Sequence, residues 1–136
     1  MRVRAAVFGC LALLAGCNVA DDIPKATAQI DAFHSKLNAG DFATIYAQSA
    51  PEMKQAATED ALTKLLSAVH RKLGDFQSGQ QQSWNDNVNT SGHFLTLGYA
   101  AKYAHGDATE TFVYKLDGQQ TLLVGYNVNS NALIEN

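Results

Sequence analysis

Acid–base chemistry needs a group that can hand over a proton near neutral pH, and this sequence has few candidates. His34 and Asp31 stand three residues apart, one helical turn, so their side chains can face each other. The plainer account of His34 is a boundary histidine bonded to solvent or to Asp31. His93 opens a strand pattern, where it either lines the mouth of a pocket or closes a strand end. Glu110 has the same alternating parity as Phe112. It therefore sits at the rim of the sheet or is a buried acid with a raised pKa. Tyr99, Tyr103, Phe112, Tyr114 and Tyr126, with Trp84, either fill a core or line a pocket whose hydroxyl groups suit a small polar ligand. His70 falls in the last turn of a helix, where it complements the dipole. Four scattered histidines make no metal site, and no phosphate-binding glycine loop, nucleophile elbow or cofactor fingerprint is present. No metal or cofactor is expected.

The elements that must position these residues can be read in order. Asp21 or Asp22 can cap a first helix with Pro24 in its first turn, and Ala26, Ile30, Phe33 and Leu37 form its apolar stripe. Gly40 stops it, and Asp41 caps a short helix carrying Phe42, Ile45 and Tyr46. Ser49-Ala50-Pro51-Glu52 resembles a capping box for a further short helix. Thr58 starts the last one, with Leu62, Leu65, Leu66, Val69 and Leu73 on its buried face. Glu59 and Asp60 lie at its positive end, His70, Arg71 and Lys72 at its negative end, and Gly74 ends it.

The remainder reads as strands. A polar strand is expected over 76–84, a loop over 85–92 and an alternating strand over 93–104. His105-Gly106 reads as a two-residue turn, which pairs Tyr99 with Phe112 and Leu97 with Tyr114. A three-residue loop with Gly118 left-handed leads into a last strand over 121–128, with a tail beyond. Helices first and strands second predict an α+β fold, the helices packed on one face of a curved four-stranded antiparallel sheet.

The N-terminus supplies an address. Arg2 and Arg4 precede a short apolar run, and small residues lead to Cys17, the three parts of a secretory signal. The run is too short to span a bilayer, which takes about 20 residues. Leu14-Ala15-Gly16-Cys17 resembles the bacterial lipobox. The resemblance implies cleavage after Gly16, acylation of Cys17 and a lipoprotein held to the membrane by its lipid. Asn18, rather than an Asp, follows, which implies an outer-membrane lipoprotein facing the periplasm. The expected organisation is a signal peptide over 1–16, a lipidated tether over 17–23 and one domain over 24–136. Thirteen acidic residues against ten basic ones argue against nucleic acid. Cys10 leaves with the signal and Cys17 is used for lipid, so no disulfide or cysteine metal site is expected.

Leu37-Asn38-Ala39-Gly40-Asp41-Phe42, Lys72-Leu73-Gly74 and Val124-Gly125-Tyr126 together resemble the punctuation of nuclear-transport-factor-2-like (cystatin-like) domains, especially small secreted and lipoprotein families of unknown function. The resemblance implies a cone-shaped cavity but no particular chemistry, because that superfamily hosts isomerases, dehydratases, ligand carriers and interaction modules. It also implies that a cavity base is an Asp or an Asp–His pair. The expected function is a non-catalytic binding module for an envelope protein, of immunity or inhibitor type, or for a small ligand in the cone. The alternative is a small lyase or isomerase using His34, Asp31 or Glu110. Domains of this fold also dimerise through the open sheet face.

Overall fold

A computed structural model describes residues 18–135, so the expected signal peptide and the expected acylation at Cys17 lie outside the described residues. Four helices precede four strands: α1 (Val19–Ala39), α2 (Phe42–Ala47), α3 (Pro51–Ala56), α4 (Glu59–Leu73), β1 (Phe76–Asn89), β2 (Gly92–Tyr103), β3 (Gly106–Asp117) and β4 (Gln120–Asn129). A final turn of helix, α5 (Asn131–Ile134), replaces the expected plain tail. The strands form one antiparallel sheet in sequence order, so the architecture is α+β as expected.

Helix α1 starts earlier than its acids suggest. Asn18 is the cap, its side chain accepting from the Ala20 N–H at 3.2 Å, so residues expected as tether are already helical. Asp21 and Asp22 then fall in the first turn, at the positive end of the dipole. Pro24 lies inside the helix, and the carbonyl it leaves without a donor is that of exposed Ala20, which can bond to water. Gly40 ends α1 at φ 71°, a conformation that favours glycine.

Asp41 caps α2 and Thr58 caps α4 through their side chains, as expected. The Ser49 capping box does not form. Ala50 is the cap residue of α3, with Pro51 in the first turn, while Ser49 Oγ donates to the Ile45 carbonyl at 2.7 Å. The Ala50 N–H instead donates to the Leu123 carbonyl at 2.9 Å and ties this corner to the edge of β4. Leu65, expected on the buried face of α4, is 41% exposed, while Leu62, Leu66, Val69 and Leu73 are buried.

Three strand expectations are corrected. First, β1 continues to Asn89, and the expected loop over 85–92 is strand as far as Asn89. Irregularities at Phe76/Ser78 and Gln81/Ser83 insert an extra residue twice. Each insertion reverses the parity of the side chains, so no period of two survives in the sequence. Second, the β2–β3 turn is Ala104-His105, since Tyr103 pairs with Gly106. The register therefore slides by two residues: Tyr99 faces Glu110, Leu97 faces Phe112 and Leu95 faces Tyr114. A slide of two keeps every side chain on its face, so the predicted inward set survives. Third, Asp117 pairs with Gln120, so the β3–β4 turn has two residues, with Gly118 left-handed at φ 60°. The parity change expected from an odd loop comes instead from a bulge between Val113 and Tyr114, where Val113 pairs with Gly125 and Tyr114 with Leu123.

The core lies between the inward face of the sheet and helices α1 and α4. Ile30, Leu37, Leu66, Leu73, Leu95, Leu97 and Phe112 are fully buried there. No helix of the described residues is long and apolar enough to cross a membrane.

Candidate functional site

Glu110 is the centre of a polar cluster inside this core. β3 presents it inward by alternation with Ala108 and Phe112, and it is 0% exposed. Helix α1 presents His34 beside Phe33, and His34 is 2% exposed. Their side chains meet across 76 positions of sequence: His34 Nε2 lies 2.8 Å from Glu110 Oε2. The hydroxyls of Tyr103 and Tyr126 both donate to Glu110 Oε1, at 2.5 and 2.7 Å. Three donors from α1, β2 and β4 thus converge on one carboxylate of β3. Burying a carboxylate is costly, and this convergence is what offsets the cost.

Phe76 closes the cluster from the side of β1. Its ring stacks on the His34 imidazole at 3.6 Å and 3°. Asn38 fixes that ring by its backbone, accepting from the Phe76 N–H at 2.8 Å and donating to the Phe76 carbonyl at 3.1 Å. With Nε2 committed to Glu110, His34 Nδ1 is buried without a partner among the described residues. An imidazole in this position serves Glu110 with one ring nitrogen only.

The charge is felt by its neighbours. Burial pushes the hydroxyls of Tyr103, Tyr114 and Tyr126 well above the usual phenol range, and the negative charge of Glu110 adds to the effect. Tyr99 moves in the same direction through burial and the charges of Asp31 and Glu110.

The sequence candidates separate as follows. His34 and Glu110 come together, whereas Asp31 is exposed and His34 does not bond to it. Glu110 is in the core rather than at the rim. Tyr99, Tyr103, Phe112 and Tyr114 are buried, with Tyr126 half-buried against them. Phe33, Phe112 and Tyr126 fill the space under the sheet with ring centroids 4.7 to 5.2 Å apart. His93 pairs with Asp86 at 2.5 Å and His70 with Asp75 at 2.7 Å, both near solvent. Among the described residues, no three His, Cys, Asp or Glu side chains are grouped to hold a metal. Asn38 and Phe76 were not singled out by sequence. The one available signal was an aromatic residue two positions after the Gly74 stop.

A second feature lies on the opposite face of the sheet. Gln80, Ala100, Thr109 and Asn129 are neighbours in one row across all four strands, and all are exposed. With Lys102 and Asp107 they line an open groove of about 610 Å³. Alternation puts their side chains on the face away from Tyr99 and Glu110.

No curated protein matches the chain. Residues 31–123 match a family described as a protein of unknown function, DUF3887, and the match includes His34, Phe76, Tyr103 and Glu110. The matched stretch runs from the middle of α1 into β4 and takes in most of the described fold, so the chain belongs to the DUF3887 family.

Proposed function

We propose that this chain is a lipid-anchored envelope protein whose α+β domain is a binding module without chemistry of its own. The observation that carries this reading is the saturation of Glu110. Both carboxylate oxygens are occupied by His34, Tyr103 and Tyr126, and Glu110 itself is fully buried. A general acid or base must come within about 2.6–3.2 Å of the proton it moves, and here that distance is taken up by the protein's own donors. The lyase or isomerase alternative loses support accordingly. Packing of the aromatic rings under the sheet favours a protein partner over a small ligand inside a cone. The open groove across the outer face of the sheet is the surface we assign to that partner, an inhibitor or immunity relationship being one form of it.

The address comes from the lipobox, which makes Cys17 the acylated residue and the outer membrane, periplasmic side, the location. The resemblance to nuclear-transport-factor-2-like domains agrees with the order of helices and strands and adds self-association through the open sheet face as a second use of the same groove.

A photo-crosslinking residue at Thr109, expressed in cells, tests the binding reading. The expected result is a discrete adduct that is absent when the crosslinker replaces exposed Lys64 on α4. Lack of any adduct at Thr109, together with an envelope-linked turnover that disappears in Glu110→Gln, would favour the enzyme instead.

A further inference from the structure

Helix α1 leaves almost no slack between the proposed anchor and the fold. It begins at Val19 with Asn18 as its cap. One residue therefore separates Cys17 from the helix, and an extended chain gains only about 3.3–3.6 Å per residue. A lipid on Cys17 would hold the first turn of α1 at the bilayer surface, in place of a domain on a tether.

The contacts of α1 show which end of the sheet is brought there. Asn38 bonds to Phe76 at the start of β1, and His34 meets Glu110. Further back, Phe33 packs on Phe112 and Tyr126, and Gln29 shares a cleft with Thr121 and Leu123. Toward its N-terminus the helix thus climbs to the rows nearest the β1–β2 and β3–β4 turns. Val88 lies in the row next to the last, opposite His93, and Trp84 lies four residue rows below it, opposite Leu97. The bulge at Gln81/Ser83 puts both on the inward side of the sheet, yet Trp84 is 51% and Val88 69% exposed. Asp86 between them is the only charged residue of β1, and it is held by His93.

We propose that Trp84 and Val88 rest in the headgroup boundary of the bilayer that carries the Cys17 lipid, so that the domain is seated on the membrane in a defined orientation. The occupant of this apolar patch is a lipid surface. The short spacer brings it there, an indole suits the interface between headgroups and acyl chains, and the Asp86 carboxylate between the two side chains is bonded to His93. The inference rests on acylation of Cys17.

Trp84 is the sole tryptophan of the chain and reports directly. The full protein is purified from membranes, its mass is measured for acyl chains, and it is reconstituted into phosphatidylcholine vesicles containing brominated acyl chains. The expected result is a loss and blue shift of Trp84 emission in brominated vesicles and protection from aqueous iodide, both reduced in Val88→Glu. Emission untouched by bromine and freely quenched by iodide overturns the proposal. Protection from iodide without quenching by bromine also overturns it, because it assigns the patch to a second copy or another protein. A mass without acyl chains removes the address reading separately. In that case the Cys17 thiol of a Cys10→Ala chain is coupled to a maleimide phospholipid, and the same readouts decide the docking question alone.

Discussion

The inner half of β3 and the outer half of β1 belong to one sheet and treat polar residues in opposite ways. Glu110 is an acid, central and wholly covered, with both carboxyl oxygens partnered. From Gln77 to Asn89, β1 is rich in Gln, Ser and Asn and lies open to solvent, Gln81 being its best-covered residue. The difference comes from what covers each. Helix α1 passes over β3 and contributes a donor, whereas β1 is an edge strand with no strand beyond it. The other edge, β4, is met by the Ala50 N–H. A polar residue in this fold is thus a structural commitment where a helix crosses it and free surface where none does.

The strongest way to break that contrast is at Glu110. Glu110→Ala leaves His34, Tyr103 and Tyr126 without their common acceptor, and we expect a loss of about 3–5 kcal/mol in urea unfolding. Next in size is Gly79→Ala. A Cβ there would run into the Tyr99 ring, which crosses over this glycine from β2, while the neighbouring Ala100 carbonyl blocks its retreat. Overpacking of this kind costs about 1–3 kcal/mol. Asn38→Ala removes both bonds to the Phe76 backbone and should cost about 1–3 kcal/mol, read in the same unfolding experiment. The smallest effect belongs to the open strand: Val88→Thr should alter stability by no more than about 0.5 kcal/mol.

Alkali tests the same contrast without mutation. The folded-state pKa values of Tyr103, Tyr114 and Tyr126 lie above the unfolded value of about 10. Their protonated forms are favoured in the fold, so the stability they contribute is intact below about pH 10 and is lost as pH rises beyond it. Phenolate absorbance of these residues should appear together with unfolding. Reversible ionisation of all three in a folded chain would contradict the buried placement.

Much of this fold was legible in sequence, and the failures share a cause. Asp41, Thr58, Gly40 and Gly74 act through their own backbone neighbourhoods, so their roles could be read locally. The alternation of Leu95, Leu97, Tyr99, Ala101 and Tyr103 survives in β2 because nothing interrupts it. In β1 two insertions scramble the alternation, and in β4 the bulge after Leu123 imitates an odd loop. The candidate site divides in the same way. His34 and Glu110 stood out by residue type and parity. Their pairing did not, because local spacing offers Asp31 to His34 while the true partner is 76 positions away. The Asn38 clamp on Phe76, 38 positions apart, is invisible for the same reason.

The central claim is that the Glu110 cluster serves the fold and that recognition happens elsewhere. Buried ionic groups can often be replaced by apolar side chains of similar size without loss of stability. The most direct measurement combines Glu110→Met, His34→Leu, Tyr103→Phe and Tyr126→Phe in one chain and reads cooperative unfolding and the Thr109 crosslink together. The account predicts a folded domain that still forms the adduct. A folded domain that no longer forms it would place function at Glu110 and contradict the account.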